Sequence, residues 1–268
     1  MSNHKYRKYK KKYQKLKTVM NMKSTIDSLM ASTDSFAFVD IGPTNYANLL
    51  FTKENITNNT FEYYGIFEEK IINEKLIEFL NQITDDKTSK KITKFMDDII
   101  DSYTMITHKA YIWLTMRIFH PSHSFDIPRW HADGYYYETA KYVSRGEPQL
   151  KLAGVLTGPA TLFKLGNQEM FTKYLQLQRK LYADFDSKDY FKEKDITNRK
   201  IINDELQQYA TVAPKQDQVV IFKVGMNGAI HSEPKMDTKR LFYSIVTGTH
   251  DEILDLAMRW GKSFNDKD

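Results

Sequence analysis

The sequence predicts an α+β protein in which helices come first and a strand-rich half follows. Three observations carry this. Apolar residues recur at helical spacing between residues 67 and 100. From about residue 108 the texture changes to short β-branched and aromatic runs separated by proline and glycine. One helical stretch, within residues 166–208, then interrupts those runs, so the β part reads as a sandwich or barrel with an insertion. With 268 residues, 41% of them hydrophobic and 13% aromatic, the chain can bury one large core. The expected organisation is a basic amphipathic helix or tail over 1–23, a helical scaffold with an early strand over 24–107, and the β core over 108–268.

The elements follow in order. Tyr6, Tyr9, Tyr13, Leu16 and Met20 recur at spacings of three and four, so they share a helical face surrounded by lysines. That segment is either a solvated basic helix that docks its stripe on the body or frays, or an adapter for RNA, an acidic partner or an anionic surface through residues 5–23. Ser24-Thr25-Ile26-Asp27 has the form of a capping box and predicts a new short helix. Phe36 to Asp40 predicts a strand stopped by Gly42-Pro43. Helices are expected over 67–83 and around Ile92, Phe95, Ile99 and Ile100. Residues 111–119 predict a strong strand, 120–129 a loop with two prolines, and 130–137 a strand or its rim. Residues 150–157 and 160–165 predict a strand pair joined across Gly158-Pro159. A helix from 167 to about 185 follows, then strands at 218–224, near 229–231 and at 240–247, and a closing helix over 251–260.

The formal charge of +5 belongs to one end of the chain. Nine of the 39 basic residues lie at or before Lys23, and the first acidic residue is Asp27. The remainder carries 30 basic against 34 acidic residues, so bulk charge gives no case for a nucleic-acid-binding body. Cysteine is absent, which excludes disulfides and thiolate metal sites and fits a reducing compartment. No apolar run is long enough to span a bilayer, and the N-terminus lacks a signal-peptide core. The expectation is an intracellular, cytoplasmic protein without a membrane span, in which the sequons at Asn55 and Asn58 go unused.

Trp130-His131-Ala132-Asp133-Gly134 is the stretch with chemistry in it. Strand residues two apart face the same side, so His131 and Asp133 project together while Ala132 points away. His231 lies far downstream, after the Gly225/Gly228 turn, where its strand can run antiparallel to the one bearing His131. Arg240 opens the next strand, with Phe242 and Ser244 on its face, and a guanidinium there can clamp a carboxylate. Two imidazoles and one carboxylate can hold a non-haem Fe(II) and leave coordination positions open. Taken alone, a His-x-Asp triplet is common. His120 and His123 offer, with His131, an alternative Zn(II) set, although a loop His-x-x-His lacks the usual rigid spacing. Tyr135, Tyr136, Tyr137 and Tyr142 divide between core and a substrate mouth. Asp126, Glu138 and Asp217 are candidates to orient the histidines.

The order His-x-Asp, long interval, His, then Arg resembles the Fe(II)/2-oxoglutarate-dependent dioxygenases, across roughly residues 108–248. The resemblance implies a double-stranded β-helix (jelly-roll) core, with His131, Asp133 and His231 as iron ligands. It also implies that Arg240 binds the distal carboxylate of 2-oxoglutarate, assisted by Ser244, in a hydroxylase or demethylase of unknown substrate. Many members carry Arg-x-Ser, whereas here Phe242 fills that place and serine arrives at Ser244. Two other readings stand beside it: a jelly-roll binding module without turnover, recruited to RNA or a protein complex by its basic helix, and a cupin-like metalloenzyme that does not use 2-oxoglutarate. The Tyr/Lys-rich opening resembles the N-termini of proteins from mimivirus-like giant viruses, which would imply a viral protein acting in host cytoplasm.

Overall fold

A computed structural model describes residues 3–42, 46, 49–53, 56–137 and 149–266, with backbone alone at 3–12, 14 and 187. The chain runs α1 (Asn3–Ala31), β1 (Phe36–Asp40), β2 (Thr60–Ile66), α2 (Glu69–Leu80), α3 (Asp86–Thr107) and β3 (Tyr111–Phe119). It continues β4 (Gln149–Thr157), β5 (Leu162–Lys164), α4 (Gln168–Leu181), α5 (Glu193–Leu206), β6 (Thr211–Val212) and β7 (Gln218–Val224). It ends β8 (His231–Ser232), β9 (Arg240–Gly248), α6 (His250–Arg259) and β10 (Phe264–Asn265). Among the described residues no helix is long and apolar enough to cross a membrane.

Seven strands form one sheet in the order β1-β7-β4-β9-β3-β2-β10, antiparallel throughout except for β10 beside β2. A second sheet, β6-β5-β8, is extended by a bridge between His131 and His231. Counting β3, the His131 bridge and β4 to β9 as eight successive strands, the first pairs with the eighth, the eighth with the third and the third with the sixth. The second pairs with the seventh, the seventh with the fourth and the fourth with the fifth. This pairing is that of a double-stranded β-helix, an antiparallel roll whose two sheets face each other. Phe163 on β5 meets Phe222 on β7 across the roll, with ring centroids 5.6 Å apart.

Strand alternation divides the large sheet's two faces. Ile112, Leu114, Met116 and Ile118 on β3, with Leu241, Tyr243 and Ile245 on β9, join the core shared with α1, α2 and α3. The opposite parity, Trp113, Phe119, Arg240 and Phe242, is left for the interior of the roll. Gly154 on β4 makes room for this core: a Cβ there would stand 2.6 Å from the hydroxyl of the fully buried Tyr243.

Several expectations need correction. Residues 150–157 and 160–165 do not pair, since β4 lies in the large sheet and β5 in the small one. Gly158, at φ +88 with Lys239 O and Arg240 Cα closing the space a Cβ would fill, turns the chain from one sheet to the other. Ser24 does not open a helix, because α1 runs unbroken to Ala31. Its docking face is Met22, Ile26 and Leu29, while Tyr13, Leu16 and Met20 of the expected stripe face solvent; the side chains of Tyr6 and Tyr9 lie outside the described residues. The insertion holds two helices, α4 and α5. The second escapes a hydrophobic reading because its buried face includes Asp195, Asn198 and Arg199, with Arg199 and Asp195 ion-paired at 2.5 Å.

Candidate metal centre

The backbone brings the two histidines together. His131 and His231 are direct antiparallel partners whose N–H groups each donate to the other's carbonyl at 2.8 Å. Side chains of such a pair share one side of the sheet, and the imidazole centroids lie 4.2 Å apart. Beyond His131 the chain leaves the ladder, and the carbonyl of Asp133 accepts from Gly225 N–H at 2.8 Å, which ties this rim to the end of β7. The Oδ1 of Asp133 lies 3.9 Å from Nε2 of His131 and 3.8 Å from Nε2 of His231. One ligand atom from each of the three residues lies within 4.8 Å of the others.

Both rings are oriented by main chain. His131 Nδ1 donates to the carbonyl of Arg129 at 2.8 Å, and His231 Nδ1 to that of Ala229 at 3.0 Å. Because Nδ1 of each ring donates to a carbonyl, Nε2 is the ring atom turned toward the common point. Burial, reinforced by the neighbouring His131, pushes His231 down to about 4, so it is neutral at physiological pH. Of the expected carboxylate orienters, Asp126 and Asp217 are not used. Asp126 instead binds the Nδ1 of His123 at 2.8 Å, Asp217 accepts from Ile41 N–H through its carbonyl, and Glu138 lies outside the described residues.

Asp133 is held from behind. Its Oδ2 accepts from the Tyr136 hydroxyl at 2.5 Å and from the Lys151 ammonium at 3.0 Å, leaving Oδ1 turned toward the histidines. Burial alone would raise this carboxyl, but the Lys151 cation, first, and the Tyr136 hydroxyl hold it well below the usual carboxylate range. Lys151 sits among the rings of Trp113, Tyr136 and Phe222, each centroid 5.6 to 5.7 Å from Nζ. Two imidazole Nε2 atoms and an ionised, singly available carboxylate oxygen make a donor set suited to a divalent cation such as Fe(II). The chemistry of the residues fits the metal.

The triad lines a cavity of about 440 Å³ that also contains Arg240, Thr161, Phe119 and Phe242. Arg240 is 2% exposed, donates from Nη2 to Thr161 Oγ1 at 2.6 Å, and lies between the rings of Phe119 and Phe242. Among the described residues no carboxylate pairs with it, its Nε has no partner, and burial pulls it down to about 10. Ser244 is buried on the same strand face but does not line the cavity; the hydroxyl beside Arg240 is that of Thr161, on the corner before β5. His120 contacts Asn59 and His123 contacts Asp126, and neither joins the triad. Tyr135 lines the cavity, Tyr136 binds Asp133, Tyr137 donates to the carbonyl of Thr247, and Tyr142 lies outside the described residues.

No protein-family model matches the sequence, and no curated protein matches it. Solved structures share its general shape at low scores. An N-substituted L-amino acid dioxygenase from Burkholderia ambifaria, in complex with alpha-KG, gives a TM-score of 0.41 at 12% identity over 86% of this chain and 89% of that one. A prolyl-4-hydroxylase from Pseudomonas putida gives 0.29 at 10% identity, over 60% and 65% of the two chains. A dioxygenase for auxin oxidation in rice gives 0.35 at 9% identity, over 94% and 82%.

Lys151 and Thr161 were not singled out by sequence. A lysine midway along an apolar strand, at the parity of Ala153 rather than of Leu150 and Leu152, was the available signal. Thr161 carried none.

Proposed function

We propose that this chain is an Fe(II)- and 2-oxoglutarate-dependent oxygenase, a hydroxylase or demethylase. The observation that carries the reading is one cavity shared by the His131, Asp133 and His231 donors and by a buried arginine with no carboxylate partner among the described residues. A cation enclosed without an anion is costly, and a ligand carboxylate would relieve that cost. His131, Asp133 and His231 would hold Fe(II), which when bound supplies the activation of O₂. Arg240 would take the distal carboxylate of 2-oxoglutarate through its fork of donors, with Thr161 fixing the guanidinium from the side. Phe119 and Phe242 exclude water from that contact and so strengthen it. Lys151 and Tyr136 keep Asp133 ionised and turned toward the metal position.

The test is 2-oxoglutarate binding and turnover by the full chain. Protein loaded anaerobically with Fe(II) is expected to bind 2-oxoglutarate and, on admission of O₂, to form succinate. His131→Ala is expected to lose both metal and succinate formation, and Arg240→Gln to raise the 2-oxoglutarate requirement while keeping the metal. Metal binding with no effect of Arg240→Gln on 2-oxoglutarate would point to a metalloenzyme of another kind.

A further inference from the structure

We infer that the substrate is a small acid whose carboxylate or phosphate is held by Arg117 and Arg259, with its apolar body on Trp113 and Trp260. The inference rests on the proposed function in one respect, the assignment of Arg240 to 2-oxoglutarate.

The cavity's charge inventory leads to it. Among the described residues five cations line the space, Arg117, Arg129, Lys151, Arg240 and Arg259, against the two carboxylates Asp133 and Glu233. Both carboxylates are taken. Arg129 holds Glu233 through Nη2 at 2.6 Å and Nε at 3.3 Å, and Lys151 holds Asp133 at 3.0 Å. With Arg240 assigned to the co-substrate, two guanidinium groups are left over.

Arg117 has a side chain 47% exposed, and its nearest carboxylate among the described residues is Glu62 at 3.8 Å. Glu62 is itself held at 2.6 Å by Lys262. Arg259 donates from Nε to Asp255 on its own helix at 3.1 Å and from Nη2 to the carbonyl of Tyr136. That second bond ties the guanidinium to the main chain of Tyr136, whose hydroxyl holds Asp133. An arginine has five donors, and these contacts leave the rest of the fork for a ligand. An i,i+4 surface pair is weak and yields to a bidentate oxyanion.

The apolar part of the inference comes from Trp260. It is 41% exposed although it packs edge-on against Trp113, with ring centroids 4.6 Å apart. A large aromatic left open on a cavity wall is a contact surface for an apolar group. The size limit comes from the volume, since about 440 Å³ must also receive 2-oxoglutarate. That leaves room for a small molecule.

The experiment uses full-length protein loaded with Zn(II) and saturating 2-oxoglutarate, so that no turnover occurs. Ligand-observed NMR is run with a panel of aryl and alkyl carboxylates, each beside its primary amide and the matching monophosphate. Retained ligands are expected to be anionic and to bind at least about tenfold more tightly than their amides. Arg117→Gln and Arg259→Gln are each expected to weaken binding about tenfold, and preference for carboxylates or phosphates identifies the headgroup. Equal retention of amides, retention of no acid, or an unchanged affinity in the double variant would overturn the inference. So would loss of acid binding in Arg240→Gln alone. If instead the protein binds neither Zn(II) nor 2-oxoglutarate yet retains an acid through Arg117 and Arg259, the proposed function fails and the acid site stands.

Discussion

Replacing Arg240 with methionine separates a ligand-binding arginine from a structural one. Burial pulls the Arg240 guanidinium down from the ordinary arginine range to about 10, which corresponds to about 3 kcal/mol of unfavourable charge burial. The unfolded chain holds that proton more tightly than the folded one. The cost is therefore present at every pH below 10 and fades only as pH rises above 10 toward the ordinary arginine range. Against it stand the bond to Thr161, worth about 1.5 to 3 kcal/mol as a charged hydrogen bond, and the stacking on Phe119 and Phe242, worth about 1 to 2 kcal/mol. Methionine keeps much of the apolar stem. The two sides nearly cancel, so Arg240→Met is expected to change the stability of the ligand-free protein by no more than about 2 kcal/mol in either direction. Its effect on 2-oxoglutarate is expected to be large. Loss of a desolvated guanidinium–carboxylate contact costs about 2 to 5 kcal/mol, at least about thirtyfold in affinity. Urea unfolding at pH 7.5 with and without 2-oxoglutarate reads both quantities. A loss of more than about 3 kcal/mol in the ligand-free protein, with ligand stabilisation intact, would make Arg240 a structural residue and refute the reasoning.

Three further outcomes are expected. Lys151→Met removes the cation behind Asp133 while retaining the stem among Trp113, Tyr136 and Phe222, and should weaken Mn(II) binding by about 10- to 100-fold; an unchanged affinity would mean that Lys151 does not position the ligand. Asp97 is buried with one hydrogen bond, from Asn73 Nδ2 at 3.0 Å, and burial raises it to about 6. Its folded pKa lies above its unfolded value, so stability is lost as pH rises from about 4 to about 6. Asp97→Asn should then stabilise the protein by roughly 1 to 3 kcal/mol at pH 8 and not at pH 3.5, and an equal gain at both would contradict the assignment. Gly154→Ala should cost about 1 to 3 kcal/mol in chemical denaturation, because the new methyl meets the immobile Tyr243 ring; a neutral substitution would show that the ring can move.

The candidate ligands were legible from spacing, although only the two histidines hold ladder positions and Asp133 lies just past the end of the ladder. His131 and Asp133 converge by spacing, and His231 faces His131 across one ladder position. What orients the rings was not legible, since both Nδ1 groups bind the carbonyl two residues earlier, and a carbonyl has no sequence signature. The strands at 36–40, 111–119 and 218–224 could be read because β-branched and aromatic runs there are bounded by turn residues. The supposed hairpin at Gly158-Pro159 was misread because a turn sequence states that the chain bends, not which sheet receives it. Local periodicity likewise chose the wrong face of α1. The contacts of Met22, Ile26 and Leu29 with the body decide it, and those are tertiary.

The central claim is that three side chains from two strand positions hold one divalent metal ion, and Mn(II) binding followed by electron paramagnetic resonance tests it most directly. The expected result is one tightly bound Mn(II) per chain at pH 7.5, with binding lost in His131→Ala, Asp133→Ala and His231→Ala while circular dichroism stays that of the folded protein. Binding that survives all three substitutions, or no stoichiometric binding in the unaltered chain, would contradict it.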